Sequence, residues 1–181
     1  SLPAPPLPAP FVVKPALEGS SVGVSIVHDI AAWPAAWTTA AGCRGDVLVE
    51  RFVAGRELTV GIIDGDCMGV VEIAAADGFY DYQAKYERRD TSYLYPAPLD
   101  PEVHDRVVEA AVAAYRALGC AGVARVDVML DGVAPLVLEV NTVPGMTETS
   151  LVPKIAAGNG VPFPQFVLSM LDRALNTPRE R

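Results

Sequence analysis

The stretch from Val123 to Asn141 constrains the fold of this chain more than any other. Val123-Ala-Arg-Val-Asp-Val-Met-Leu130 alternates along its length. In an extended strand successive side chains point to opposite faces. Ala124, Val126, Val128 and Leu130 therefore share one face, which must be core. Arg125, Asp127 and Met129 share the other. A second strand, Leu136 to Asn141, carries Glu139 and Asn141 on one face. With Asp131 to Pro135 as the loop and Leu130 against Leu136, Asp127 falls opposite Glu139 and Arg125 opposite Asn141. Directly opposed side chains lie about 5 Å apart at Cβ, and two facing carboxylates destabilise a sheet unless positive charge sits between them. Two readings meet that need. One is a divalent cation, since carboxylates and an amide oxygen make a hard site suited to Mg²⁺ and phosphate oxygens. The other is a solvated surface face whose acids Arg125 neutralises.

The rest of the chain supplies elements of both kinds. Phe11 to Lys14 and Val24 to Val27 read as strands around the hydroxyl-rich turn Glu18-Gly-Ser-Ser-Val-Gly23. Asp29 to Ala41 reads as a helix with Pro34 in its first turns. Asp46 to Val53, Glu57 to Ile63 and Met68 to Ile73 read as strands, the last two joined at Asp64-Gly65. Asp100 and Pro101 open a helix as N-cap and first residue, with Val103, Val107, Ala111 and Tyr115 as its buried stripe. A last helix runs from about Pro164 to Leu175. Mixed elements and repeated hairpins predict an α+β fold with mostly antiparallel sheets and flanking helices. Residues 1–10, half of them proline, read as an extended linker, and the chain as cut from something longer. Residues 11–53 and 54–181 read as two lobes. Between about 74 and 98 lies a segment without periodicity that holds five of the six tyrosines. Long aperiodic loops of that kind are usually functional.

Composition excludes several classes. With 51% hydrophobic residues the chain can bury a core, so it is not a disordered tail. A net charge of -8 disfavours binding to nucleic acid or an anionic membrane. No apolar run is long enough to span a bilayer. Cys43, Cys67 and Cys120 form no CxxC pair and read as reduced thiols of a cytoplasmic protein.

Other residues bear on the same chemistry. Lys14 precedes the Gly/Ser turn, where a lysine and backbone N–H groups can hold phosphates, although a lone Gly/Ser turn is a weak signal. Glu50 and Glu57 flank Phe52 and Val53, an arrangement that suits adenine and ribose or simply a charged edge. The turn from Asn141 to Gly145 offers N–H groups to an oxyanion.

Taken together, FVVKPALEGSSVGVS, VLVERFVAGRELTVGII, FYDYQAKY, LGCAGVARVDVML and LEVNTVPGMTETSLVP resemble the D-alanine–D-alanine ligase family of ATP-grasp enzymes, from about Phe11 to Leu175. The resemblance implies an incomplete small lobe followed by a C-terminal lobe. It implies ATP-driven joining of two D-alanines through an acyl phosphate, for peptidoglycan precursors. Asp127, Glu139 and Asn141 would hold two Mg²⁺, with Mn²⁺ an alternative. Lys14 would contact phosphates, Glu50, Phe52 and Val53 the adenine, Glu57 the ribose, and Met129 the base. Arg125 and the Gly145 N–H would stabilise the acyl phosphate and the tetrahedral oxyanion. Ser150 and Leu151 would receive the second D-alanine's carboxylate. Ser20 and Tyr86 would close the site, with Lys85 beside them on the substrate side in a lid loop. The Lys85-Tyr86 pair resembles the dipeptide-forming branch. A second nucleotide-binding lysine and a glutamate for the first D-alanine belong to the family's N-terminal half, which the full protein is expected to carry. Residues 1–181 alone are expected to be inactive or severely impaired, and residues 11–53 poorly packed unless another piece completes them. A homodimer fits this reading. The alternatives are a ligase for another D-amino acid or a peptide, and a non-catalytic nucleotide-binding module.

Overall fold

A computed structural model describes residues 2–74 and 92–176. They fall into two compact units, one of residues 2–54 and one of residues 55–74 with 92–176. Most of the tyrosine-rich segment, with Lys85 and Tyr86, lies outside the described residues.

The first unit is a three-stranded antiparallel sheet in the order β2-β1-β3. Its strands are β1 (Phe11–Pro15), β2 (Ser25–Val27) and β3 (Val47–Arg51). A 3₁₀ turn, Ile30–Ala32, and helix α1, Trp33–Ala41, stand where one helix was expected. Asp29 caps the turn by accepting from the Ala31 N–H at 3.0 Å. Pro34, which has no N–H to give, then sits in the first turn of α1, where none is needed. One face of the sheet is buried: Phe11, Val13 and Val27 pack with Trp33, Ala36 and Ala40. Phe11 meets Trp33 edge to face at 5.7 Å. Residues 11–53 are therefore packed, as expected of them only where another piece completes them. That piece is in part the proline-rich opening, read above as an extended linker. Leu7 and Ala9 pack on the cluster, the Pro3 carbonyl accepts from Trp33 Nε1 at 2.8 Å, and the Pro10 carbonyl accepts from the Phe52 N–H at 3.3 Å.

The second unit is a five-stranded antiparallel sheet in the order β6-β5-β4-β7-β8. The strands are β4 (Arg56–Ile63), β5 (Asp66–Ala74), β6 (Ser92–Leu94), β7 (Val123–Asp131) and β8 (Ala134–Asn141). Helix α2, Pro101–Ala117, covers one face. Val107, Ala111 and Tyr115 pack there on Leu58, Val60, Ile62, Ala124, Val126, Val128 and Leu130, so the four-residue stripe meets the alternating strand face. Asp100 stands at the N-cap position, but its side chain makes no capping bond. Helices α3 (Leu151–Gly158) and α4 (Phe163–Asn176) follow β8. Val152, Ala156 and Phe166 pack with Met68 and Val123. Among the described residues no helix is long and apolar enough to cross a membrane, and the three cysteines are free.

Candidate active site

The β7–β8 hairpin, at one edge of the sheet, makes both expected pairs, Asp127 with Glu139 and Arg125 with Asn141. It reaches them by another route. Leu130 pairs with Pro135, not Leu136, so the turn is the two-residue Gly132-Val133 and not a five-residue loop. A bulge then shifts the register between Asp127 and Val128. The partner of Asp127 is Glu139 and that of Val128 is Val137, so Leu138 is the extra residue, as a β-bulge requires.

Strand β4 adds to the same face. Glu57 pairs with Met129, Thr59 with Asp127 and Gly61 with Arg125. Directly paired residues point the same way, so Glu57, Thr59, Arg125, Asp127, Met129, Glu139 and Asn141 lie on one sheet face, opposite α2. At one end of this face α3 sits close. A Cβ on Gly61 would lie 3.0 Å from Ile155.

Asp127 is the buried centre, 8% exposed. Arg125 clasps it, with Nε 2.9 Å from Oδ1 and Nη2 2.7 Å from Oδ2. The same Nη2 is 3.7 Å from Glu139 Oε1. Arg125 thus stands between the two acids, as the neutralising reading requires. The donor set also fits a divalent cation, because every ligating atom offered is oxygen: two carboxylates and the Asn141 amide, whose Oδ1 also accepts from the Val143 N–H at 3.2 Å. Among the described residues no group of three or more His, Cys, Asp and Glu side chains converges, so this mixed set is the candidate.

Thr59 is the residue the sequence reading missed. Fully buried, its hydroxyl donates to Asp127 Oδ1 at 2.8 Å. The signal was the alternation of Glu57, Thr59 and Gly61, which needed the β4–β7 register to become visible. Thr59 orients the carboxylate as outer-shell partners orient metal ligands. Thr59→Val should weaken Mn²⁺ binding, read by electron paramagnetic resonance, by about ten- to hundredfold. It should cost about 1 to 2 kcal/mol of stability.

A second group gathers at the start of α3. The Ser150 hydroxyl accepts from the Thr147 N–H at 3.1 Å and lies 2.9 Å from Thr147 Oγ1. A Cβ on Gly145 would come within 3.0 Å of that hydroxyl, so the turn at Gly145 and the head of α3 are in contact. Leu151, half-buried, is the first residue of the helix.

In the first unit, Lys14 and Glu50 share the sheet face opposite α1 and form an ion pair of 2.7 Å. The sequence reading gave them separate ligands, and the structure joins them. Phe52 packs edge to face on His28 at 5.5 Å, and Val53 is half-buried. Ser20 has φ of 55°, in the left-handed region, next to Ser21 at 59°.

A family described as D-ala D-ala ligase C-terminus matches residues 6–172. The chain is 55% identical over 172 residues to a D-alanine–D-alanine ligase of Anaeromyxobacter sp. (strain Fw109-5), covering 93% of this chain and 55% of that protein. It is 47% identical over 162 residues to the ligase of Syntrophotalea carbinolica, covering 90% of this chain and 53% of that protein. The crystal structure of the Bacillus anthracis ligase complexed with ATP superposes with a TM-score of 0.79 at 33% identity, over 92% of this chain and 52% of that one. VanG D-Ala:D-Ser ligase from Enterococcus faecalis gives 0.80 at 34% identity, over 92% and 50%. The chain thus spans about half the length of the relatives it matches. It belongs to the D-alanine–D-alanine ligase family, with an ATP-grasp fold, and matches that family's C-terminal region.

Proposed function

We propose that this chain carries the nucleotide and acceptor half of an ATP-dependent D-alanine–D-alanine ligase. The observation that carries the reading is the shared face of β4, β7 and β8, where Arg125, Asp127, Glu139 and Asn141 meet in register. A carboxylate oxygen of the first D-alanine attacks the γ-phosphorus, and ADP leaves. The amine of the second attacks the acyl carbon, loses a proton, and phosphate leaves. Catalysis of the first step is mainly positioning and charge stabilisation. Asp127, Glu139 and Asn141 would hold Mg²⁺, which neutralises the phosphate oxygens when bound. Arg125 and the Gly145 N–H would take the charge of the acyl phosphate and tetrahedral oxyanion. Ser150 and Leu151 would take the acceptor carboxylate, Glu57 the ribose, and Met129 the base. Lys14 would release Glu50 to reach the phosphates, with Glu50, Phe52 and Val53 lining the adenine. Ser20, Lys85 and Tyr86 would close the site against water, which would otherwise hydrolyse the acyl phosphate. A purely nucleotide-binding role needs no oxyanion stabiliser, and leaves Arg125 only its pairing with the two acids. The setting is the cytoplasm, where ATP is present, and the product a peptidoglycan precursor.

A second reading of the acceptor, D-serine, rests on the VanG neighbour. The test expresses the whole reading frame and supplies ATP with D-alanine, D-serine or both, with products weighed by mass spectrometry. D-alanine-dependent ADP release with D-alanyl-D-alanine as main product is expected. A D-alanyl-D-serine product would favour the second reading, and ADP release indifferent to D-amino acids would overturn both.

A further inference from the structure

Lys154 closes the first turn of α3, and its backbone N–H donates to the Ser150 carbonyl at 3.0 Å. Helical side chains lean back toward the N-terminus, so its stem extends toward the turn that begins with Ser150 and Leu151. Its ammonium is 3.8 Å from the centre of the Tyr93 ring. Tyr93 pairs with Ile73, Ile73 with Glu57, and Glu57 with Met129. Directly paired residues share a face, so Lys154 delivers its charge onto the face that carries Arg125, Asp127 and Glu139.

Among the described residues this cation meets no carboxylate at ion-pair distance. Its one described partner is the Tyr93 ring. Burial holds its pKa below the ordinary lysine range. A partly desolvated ammonium with no described carboxylate beside it is a cation available to an anionic ligand.

The helix is held firmly enough to aim it. The Tyr95 hydroxyl donates to Asn159 Oδ1, and Asn159 Nδ2 donates to the Met68 carbonyl at 2.6 Å. A Cβ on Gly158 would overlap the Tyr95 ring, so that glycine permits the close seat of α3 on β5 and β6.

We propose that Lys154, cradled by Tyr93, is a binding residue for the carboxylate of the acceptor D-amino acid, adding charge to the hydrogen bonds offered at Ser150 and Leu151. The assignment rests on the ligase reading above. It is tested on the whole reading frame with Lys154→Met, which keeps the stem and removes the charge, and Lys154→Arg, which keeps the charge. For Lys154→Met the KM for acceptor D-alanine should rise about ten- to hundredfold, the loss expected of one charge-assisted contact. The KM for ATP and the thermal midpoint should hold, and Lys154→Arg should restore most of the acceptor affinity. An unchanged acceptor KM in Lys154→Met overturns the proposal. So does a parallel loss of ATP affinity and thermal stability, or an Arg variant as impaired as the Met variant. Absence of D-alanine ligation in the unsubstituted protein overturns the ligase reading itself, and this proposal with it.

Discussion

In the whole ligase proposed above, Asp127→Asn should cut D-alanine-dependent turnover by about a thousandfold or more while the fold holds. Asparagine has nearly the size of aspartate, so the packing around this buried position hardly changes. The hydrogen bonding does change. Oδ1 accepts from Thr59 at 2.8 Å and Arg125 Nε at 2.9 Å, and Oδ2 accepts from Arg125 Nη2 at 2.7 Å. Either orientation of an amide therefore turns an NH₂ group toward a guanidinium donor. Arg125 must then move toward Glu139, which is already 3.7 Å from Nη2. On the proposed function the reaction would lose a carboxylate of its cation site, and Arg125, the proposed oxyanion stabiliser, would leave its place. The stability cost is smaller, about 1 to 3 kcal/mol for one mismatched charged hydrogen bond. Turnover at saturating ATP, set beside the thermal midpoint, separates the two effects. A variant that still turns over within a few-fold of the parent would remove Asp127 from the chemistry.

How far the sequence foretold this site depends on which force sets each feature. The faces of β7 were legible because alternation decides them locally. The opposition of Asp127 to Glu139 was also legible, but the loop that gave it was not. A five-residue loop and a two-residue turn with a bulge at Leu138 produce the same pairs at 125 and 127. Only the backbone hydrogen bonding separates them. Thr59 escaped because its meaning lies in a partner 68 residues away. Lys154 escaped for a related reason: the aromatic cradle that isolates its charge comes from β6, across the sheet from the hairpin that drew attention. At Asp100 the local rule named the right position, and the helix starts there without the side-chain bond. Pro101 and Glu102 supply the other start signals. The opening prolines misled in the other direction. Their composition speaks for an extended chain, whereas Trp33 and the apolar residues between them give that chain a surface to lie on.

Gly55→Ala should be the most damaging single-methyl change in the second unit, costing about 3 kcal/mol. That corresponds to a fall of about 6 to 12 °C in the thermal midpoint for a chain of this size. The backbone at Gly55 is not in the left-handed region, so alanine meets no conformational penalty of its own. The obstacle is steric and made of main chain. A Cβ there would overlap the Leu130 carbonyl oxygen, lie 2.9 Å from its carbon and 3.4 Å from the Asp131 nitrogen. No rotamer change relieves such a contact, so β4 and β7 must separate where Arg56 pairs with Leu130. Gly119→Ala is the natural control. It has φ of 62° and nothing within 4 Å, so it bears conformational strain of about 1 to 2 kcal/mol and no clash. Thermal melts of the two variants therefore weigh overlap against strain. Gly55→Ala should also depress turnover more than its stability loss explains, because the displaced end of β7 is only three residues from Asp127. A Gly55→Ala protein as stable as its Gly119→Ala counterpart would mean that β7 yields freely at Leu130, and the site face would then be softer than its register implies.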